Sequence, residues 1–378
     1  MKIWVVGRGY PTPANKMWGS FELEQAKLLA RNGNDVSYIA LTLSFLDRKD
    51  PRGMRSFEED GVKVYAYSHF YFPGKLGVNW ESFEDRCWRK LYQEAEKASG
   101  LPDVIHIHYP SMLSGVNVIN EFKKQGAKII VTEHWSRVMI NTLKKHEIDR
   151  LQYYAHNADR FVCVSELLQS AVKKHTEVTV PMDIIPNIVS PMFFDQKPVV
   201  KSEKRKDEFV FICVGRLVPL KQFDIIIEQF IKNFSDKKNV ILKIVGSGSE
   251  RMNLYNATDG KSRIWFTGEL SLKDVAFAIN SADALVSFSK YETFAAPVAE
   301  AWACGKPVIL SNNSGIASYA QEEYGVVVPS DDPDQLGKAM LSMYENYDRY
   351  DSKTISLFAK KQFSDDAIFS KLQQVYTE

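Results

Sequence analysis

The residues best suited to chemistry lie in the second half of the chain, where two carboxylates flank the start of a helical pattern. Glu292 precedes a segment of small and apolar residues, and Glu300 lies within it. Free backbone N–H groups at the start of such a helix attract an anion, whereas carboxylates accept hydrogen bonds from hydroxyl groups. Together these features suit a sugar diphosphate. The alternative is that Glu300 only complements the helix dipole and that Glu292 is a surface residue.

Two cations precede this segment and suit the same ligand. Arg216 and Lys221 lie between a β-rich run at residues 209–214 and a helical pattern at 223–234. A planar guanidinium and a point-like ammonium at that place would neutralise a diphosphate. Read alone, the segment is equally compatible with a solvated loop of ordinary charges.

The elements that must position these residues alternate between strand and helix along nearly the whole chain. This alternation is typical of an α/β fold with parallel sheets, and it occurs twice. Ligands of such sheets bind beyond the carboxyl ends of the strands. Strands are predicted at residues 3–6, 36–40, 62–67, 104–108, 128–132, 161–164, 184–185, 209–214, 240–245, 264–266, 284–287, 307–310 and 325–328. The clearest helices are predicted at 21–31, 84–98, 223–234 and 272–280.

The length of 378 residues suggests two domains. A polar run between Pro191 and the start of the second series of strands marks a linker. We predict a first domain at 1–195, a linker at 196–208, a second domain at 209–360 and a C-terminal helix at 361–378. Four residues form an apolar stripe that should dock this helix, namely Phe369, Leu372, Val375 and Tyr376.

Composition excludes several classes of protein. Lys and Arg total 48 against 47 acidic residues, so no nucleic-acid partner is expected, because phosphate neutralisation is the main source of affinity in such proteins. No apolar run approaches the ~18 residues of a membrane span, and the apolar N-terminal run is too short for a signal peptide. Scattered cysteines without a CxxC pair favour a reducing compartment. These are Cys87, Cys163, Cys213 and Cys304. We expect a cytoplasmic protein.

Two other groups of residues carry weaker predictions. Trp88 and Tyr92, with basic helices at Lys144, Lys145, Arg150, Lys173 and Lys174, could make a peripheral contact with an anionic membrane, although a solvated face is favoured. His106 and His108 alternate along a predicted strand. We expect them to face opposite ways, so that they cannot easily share one metal ion.

The chain resembles the retaining glycosyltransferases of family 4, which have the GT-B fold of two Rossmann-like, doubly wound parallel-sheet domains facing a cleft. The resemblance covers essentially the whole chain, and its specific signal is the block from Glu292 to Glu300 together with Arg216 and Lys221. It implies that the C-terminal helix returns to the first domain. The other matching segments are 246–248, 266–268, 303–309, 103–108, 132–134, 158–165 and 185–187.

The resemblance implies a role for each matching residue. Arg216 and Lys221 would hold the donor diphosphate, Glu300 the ribose diol and Glu292 the transferred sugar. His134 would lie beside that sugar, position it and stabilise its charge, which makes it a predicted catalytic residue with Arg216, Lys221 and Glu292. Further donor contacts are predicted at Gly19, Gly246, Thr293, Phe294, Ala295 and Ala296. Acceptor contacts are predicted at Tyr10, Trp18, Tyr109 and Trp135.

Two departures from the family pattern concern specificity. The family commonly has Gly-Phe-Gly after the first glutamate, whereas this chain has Thr293-Phe294-Ala295, which is expected to narrow the sugar pocket. The glycine pair near the first helix is here Trp18-Gly19, which removes half of that loop's backbone freedom and alters acceptor access.

The implied activity is transfer of a sugar from a UDP- or GDP-linked donor to a saccharide or lipid-linked acceptor, with retention, in cell-surface polysaccharide synthesis. The second domain would bind the donor and the first the acceptor. No cofactor and no essential metal ion are implied. Two alternatives remain open: a noncatalytic sugar or nucleotide binding protein, and a sugar-nucleotide epimerase of related fold that needs no acceptor.

Overall fold

The computed structural model describes residues 1–12, 15, 18–44, 52–70, 80–113, 115–196, 207–258 and 263–378. The chain divides into two compact units. Unit 1 consists of Met1–Val164, Leu168–Ile188 and Phe369–Glu378. Unit 2 consists of Ser165–Leu167 and Val189–Ile368. Most of the predicted linker, residues 197–206, lies outside the described part of the chain.

Unit 1 is built on an eight-stranded sheet. Its strands are β1 (Lys2–Gly7), β2 (Asp35–Ser44), β3 (Gly53–Glu59), β4 (Val62–Phe70), β5 (Val104–His108), β6 (Lys128–Glu133), β7 (Arg160–Cys163) and β8 (Met182–Ile184). The helices between them are α1 (Ser20–Arg31), α2 (Trp80–Ser99), α3 (Val116–Lys124), α4 (Ser136–Met139), α5 (Lys145–Asn157) and α6 (Glu166–His175). The strand order is β3-β4-β2-β1-β5-β6-β7-β8, with every neighbouring pair parallel except β3 and β4.

Unit 2 is built on a six-stranded parallel sheet of order β11-β10-β9-β12-β13-β14. Its strands are β9 (Phe209–Val214), β10 (Val240–Val245), β11 (Ile264–Gly268), β12 (Ala284–Ser287), β13 (Val308–Ser311) and β14 (Gly325–Val328). The accompanying helices are α7 (Pro191–Phe194), α8 (Phe223–Phe234), α9 (Arg251–Ala257), α10 (Leu272–Asn280), α11 (Ala296–Ala303), α12 (Pro333–Glu345) and α13 (Ser352–Phe363). Helix α14 (Asp365–Thr377) ends the chain.

The two doubly wound sheets confirm the predicted fold class, and every predicted strand is present. The strand that was not predicted is β3, which pairs antiparallel with β4 across a turn at Asp60 and Gly61. Its residues are half-buried or exposed rather than alternately buried, so it lacks the periodicity by which the other strands were recognised. Its hairpin still carries the Asp-Gly dipeptide typical of a tight turn.

The strand order determines where ligands can bind in each unit. Strand β1 lies between β2 and β5, and β9 lies between β10 and β12. At such a point the chain winds away in opposite directions, which leaves a crevice beyond the carboxyl ends of the two strands. The loops that line these crevices follow β1 and β5 in unit 1, and β9 and β12 in unit 2. They contain most of the predicted site residues.

The end of α14 belongs to unit 1, which confirms the predicted return of the C-terminal helix. Leu372, Val375 and Tyr376 are buried as predicted, whereas Phe369 is half-buried. Lys128 Nζ on β6 donates a hydrogen bond to the carbonyl oxygen of Val375 at 3.0 Å.

Trp88 and Tyr92 lie neither on the favoured solvated face nor on a membrane-facing one, so both readings are wrong for these two residues. Both side chains are buried, and the ring of Tyr92 stacks on Trp4 of β1 with centroids 6.0 Å apart. Their spacing of four residues places them on one face of α2, and their burial shows that this face packs on the core. Among the residues that the structure describes, no helix has both the length and the apolarity needed to cross a bilayer.

Candidate functional site

The loop after β9 presents the two predicted diphosphate ligands of unit 2. Arg216 is exposed, and its guanidinium has no hydrogen bond or ion pair with any residue that the structure describes. Lys221 ends a single 3-10 turn (Pro219–Lys221), and its side chain is largely buried. The next residue, Gln222, adopts a left-handed conformation that starts α8.

The structure brings the loop after β12 against this turn. The backbone N–H of Lys290 donates to the carbonyl oxygen of Leu220 at 2.9 Å. Lys221 Nζ donates to Glu292 Oε2, forming an ion pair between the predicted diphosphate ligand and the predicted sugar ligand. Glu292 is therefore not an isolated surface residue, and its charge is balanced by a partner on the neighbouring loop.

The start of α11 carries a row of unpaired backbone donors. The N–H groups of residues 293–296 have no hydrogen-bond partner among the described residues. Such groups, at the positive end of the helix dipole, form a ready site for an anion. Ala295 adopts φ 74°, a left-handed conformation that is strained for a residue with a Cβ. This is a position at which the family commonly has glycine.

Glu300 lies on α11 and is half-buried, and its carboxylate has no partner among the residues of unit 2 that the structure describes. Burial raises the pKa of Glu300 to about 7. A carboxylate that is desolvated without a partner is unfavourable for folding. It is suited instead to accepting hydrogen bonds from a ligand's hydroxyl groups.

We expect the Glu300→Gln variant to be more thermostable than the native protein above about pH 7. In the unfolded chain the carboxyl ionises near its ordinary pKa of about 4.3, whereas in the folded chain it keeps its proton up to about pH 7. The native protein therefore loses stability as the pH rises between these two values, and the loss is complete above the folded pKa.

Melting curves at about pH 5 and about pH 8 test this expectation, because the advantage of Glu300→Gln should be small at the lower pH and largest at the higher. Glu345→Gln, which alters an exposed carboxylate on α12, is the control. A stability difference that does not change with pH would contradict the raised pKa of Glu300.

Gly246 connects the loops after β9 and β10. Its φ is 134°, and a Cβ at this position would lie 1.9 Å from the carbonyl oxygen of Gly215. Leu217 donates its backbone N–H to the carbonyl oxygen of Ser247 at 2.9 Å. Gly246 thus permits the backbone contact that supports the Arg216 loop.

The corresponding crevice of unit 1 contains Gly19, whose N–H has no partner among the described residues. Gly19 has φ 78°, and a Cβ there would lie 2.0 Å from the carbonyl oxygen of Gly9. Tyr38 Oη donates to that same oxygen at 2.7 Å. The Trp18-Gly19 turn is therefore held tightly against the loop after β1.

Two residues that the sequence did not single out organise the predicted acceptor residues of unit 1. The guanidinium carbon of Arg8 lies 5.0 Å from the ring centroid of Trp18 and 4.3 Å from that of Tyr109. Arg8 Nε lies 3.1 Å from Oε1 of the buried Glu22. Arg8 thus joins Trp18 and Tyr109 in one cation–π cluster. The signal available in the sequence was only an arginine between two glycines after β1.

The other two predicted acceptor residues, Tyr10 and Trp135, have partners outside this cluster. Tyr10 donates its hydroxyl hydrogen to Glu59 of β3, and burial together with this partner raises the pKa of Tyr10 to about 12. The ring of Trp135 lies under the guanidinium of Arg137 at 4.6 Å. Among the described residues, neither Tyr10 nor Trp135 has its ring stacked against the guanidinium of Arg8.

His134 lies at the carboxyl end of β6, with its ring stacked on Tyr109 at a centroid distance of 4.8 Å. The buried carboxylate of Glu133 accepts the backbone N–H groups of His134 and Trp135, each at 2.9 Å. Ser111 Oγ donates to the other oxygen of Glu133 at 2.7 Å. Burial lowers the pKa of His134 to about 3, so its imidazole is neutral near pH 7.

The prediction that His106 and His108 face opposite ways is wrong. Their rings stack with centroids 4.4 Å apart, because residues two apart in a strand share one face of the sheet. In the parts of the chain that the structure describes, no group of three or more His, Cys, Asp or Glu side chains could hold a metal ion.

A cavity of about 730 Å³ lies elsewhere in unit 2. It opens at the amino ends of β9 and β12, where Phe209 and Asp283 line it, so it is at the opposite edge of the sheet from Arg216 and Glu292. It contributes nothing to the candidate site.

Two models of glycosyltransferase families match most of the chain. The model of Glycosyltransferase Family 4 matches residues 22–192, and that of Glycosyl transferases group 1 matches residues 195–356. The chain is 24% identical over 374 residues to the putative teichuronic acid biosynthesis glycosyltransferase TuaC of Bacillus subtilis, covering 92% of this chain and 90% of that protein.

Two solved structures are similar in fold. Sucrose-phosphate synthase from Thermosynechococcus elongatus has a TM-score of 0.80 at 18% identity, covering 100% of this chain and 98% of that one. Anabaena HepE in complex with UDP and glucose has a TM-score of 0.71 at 15% identity and full coverage of both chains.

Proposed function

Because the chain belongs to the retaining family 4 glycosyltransferases, which have the GT-B fold and use nucleotide-sugar donors, we propose that it transfers a sugar from a UDP-linked donor to a saccharide or glycolipid acceptor of a cell-surface polysaccharide. Unit 2 binds the donor and unit 1 the acceptor. The choice of UDP over GDP is supported by HepE, which was solved with UDP and glucose. The polysaccharide setting is supported by the similarity to TuaC, a putative teichuronic acid biosynthesis glycosyltransferase.

The observation that carries this proposal is the clustering at the carboxyl edge of unit 2. Among the described residues, the amides of residues 293–296 and the guanidinium of Arg216 have no partner, and Lys221 pairs with Glu292. All of them lie in the loops after β9 and β12 or at the start of α11. The diphosphate gains negative charge as the sugar leaves, so preorganised donors bind it more tightly in the transition state than in the ground state.

Retention can proceed through a covalent intermediate on a nucleophilic carboxylate or by attack of the acceptor from the face that the diphosphate leaves. Glu292 is assigned to the sugar hydroxyls, so the proposal follows the second route. We infer that the departing diphosphate accepts the acceptor's proton. Glu292 and His134 then bind and orient the sugar, with His134 acting as a neutral imidazole because its pKa is lowered to about 3. The charge stabilisation expected of His134 comes in this proposal from its dipole and not from a positive charge.

A binding panel followed by product analysis tests the proposed function. UDP, GDP, ADP and their sugar conjugates are compared by thermal shift, since a ligand at about 100 times its Kd stabilises by about 2.7 kcal/mol. The best conjugate is then incubated with and without saccharide and glycolipid acceptors, and the anomeric proton of the product is observed by NMR.

Transfer that needs an acceptor and keeps the α configuration of an α-linked donor supports the proposal. Binding without turnover would instead indicate a noncatalytic sugar or nucleotide binding protein. Isomerisation of the donor without an acceptor would indicate an epimerase.

We expect transfer to persist in excess EDTA. Arg216, Lys221 and the amides of residues 293–296 supply the positive charge that a divalent cation provides in metal-dependent sites. Initial rates are compared in chelator, in magnesium and in manganese. Complete loss of activity in EDTA, with full recovery on adding magnesium, would show that the diphosphate site is incomplete without metal.

A further inference from the structure

A network of hydrogen-bonded side chains in the interior of unit 1, called here the histidine network, ends at His134. Nδ1 of His108 lies 2.8 Å from Nε2 of His134. The amide nitrogen of Gln25 lies 3.0 Å from Nδ1 of His106 and 3.3 Å from Nε2 of His108. His106 and His108 are both buried, and the proposed transfer mechanism uses neither.

The hydrogen bonds of the histidine network run from donor to acceptor in one consistent direction. An amide nitrogen only donates, so the imidazole nitrogens that face Gln25 both accept. Burial lowers the pKa of His106 to about 3 and that of His108 well below its usual range, and each neutral ring carries one proton. The His106 proton is therefore on Nε2, 2.6 Å from Thr132 Oγ1, and the His108 proton is on Nδ1, facing His134.

This direction determines the protonation of His134. Nε2 of His134 accepts from His108, so the single proton of the neutral His134 ring is on Nδ1. The side chain of Asn187 also interacts with this ring. The hydrogen bond with His108 and the stacking on Tyr109 together restrain the orientation of the ring.

At the other end of the histidine network, the C-terminal helix α14 contacts His106. Oη of the buried Tyr376 lies 2.6 Å from Nδ1 of His106. Tyr376 thereby restrains the ring of His106, which also contacts the amide of Gln25.

We propose that His108, supported by Gln25 and Tyr376, is a positioning residue that holds His134 as the Nδ1-protonated tautomer in one ring orientation for sugar transfer. The kinetic consequence rests on the proposed function, whereas the tautomer does not. If the Gln25 amide had the opposite orientation, each hydrogen bond of the histidine network would reverse its direction, and His134 would be protonated on Nε2.

Long-range ¹H–¹⁵N correlation spectra of the imidazole groups test the tautomer in the unsubstituted protein. The His134 signals are identified by their disappearance in His134→Asn. Protonation of both His108 and His134 on Nδ1 is expected. Protonation of His134 on Nε2, or a mixture of tautomers, would overturn the proposal. This readout does not depend on whether any variant is active.

Kinetics of two His108 variants test positioning. His108→Phe keeps a ring but removes the donor, whereas His108→Asn retains an N–H near the position of Nδ1. We expect His108→Phe to lower kcat roughly 10–100-fold, as small misplacements at a reacting centre do. The donor KM should change little, and His108→Asn should recover most of the lost kcat.

His156→Asn, which alters an exposed histidine of α5, is the matched control. Native kcat in His108→Phe, or equal losses in the Phe and Asn variants, would overturn the positioning role. If the native protein transfers no sugar from any donor, the proposed function fails. The spectra still decide which tautomer each residue of the histidine network adopts.

Discussion

Replacing Arg216 by alanine is expected to lower turnover at least ~100-fold, the scale typical of losing one preorganised donor to developing charge. The Arg216 side chain is exposed and has no partner among the described residues, so its removal leaves no buried group unpaired. The loss should therefore appear in activity and not in stability. Lys221→Ala should lose comparable activity, but it also removes the ion-pair partner of the largely buried Glu292 and should lower the melting temperature.

Steady-state kinetics with the nucleotide-sugar, together with circular dichroism and melting curves, measure both effects. Lys232→Ala is the matched control, because Lys232 is an exposed cation on α8 of the same unit that pairs with the exposed Asp334. Near-native turnover in Arg216→Ala and Lys221→Ala, with the fold intact, would remove the diphosphate assignment.

Glu292→Gln is expected to lower the catalytic efficiency with the sugar conjugate roughly 10–100-fold, the value of one charged hydrogen bond to a sugar hydroxyl. Affinity for the free nucleotide should be unchanged or slightly higher, because Lys221 is released from its ion pair and can turn to the diphosphate. Glu300→Gln should behave differently, since loss of a ribose ligand weakens the nucleotide and the conjugate equally.

Calorimetric titration of both variants with the free nucleotide and with the conjugate separates the two roles. The expected pattern is a selective loss for Glu292→Gln and a parallel loss for Glu300→Gln. Parallel losses in both variants would mean that Glu292 does not bind the transferred sugar and that its pairing with Lys221 is its main role.

The fold class and the cationic and acidic segments of unit 2 could be predicted from the sequence because their signals are local. A buried parallel strand such as β9 is a continuous apolar run, and Arg216, Lys221, Glu292 and Glu300 lie within short segments at strand ends. Any parallel sheet brings such strand ends to one edge. The roles of these four residues remain predictions.

Where side chains depend on distant partners, prediction from the sequence was incomplete or wrong. The residue types of Trp88 and Tyr92 fit a membrane-facing helix surface and a core-facing one equally well. Only a tertiary contact, such as that of Tyr92 with Trp4, shows that the face belongs to the core. Strand β3 was missed because its register depends on β4 and not on a buried face of its own.

The sequence by itself therefore determined the repeated α/β architecture, the crevice-forming strand ends and the residue types at the candidate donor site, because periodicity and glycine-rich turns act over a few residues. Only the tertiary structure decided that Arg8 bridges Trp18 and Tyr109 and that Lys221 pairs with Glu292. It also decided that Tyr376 reaches His106 across 270 positions. The physical reason is that a hydrogen bond between side chains far apart in the chain depends on how whole elements pack, and no local pattern encodes that packing.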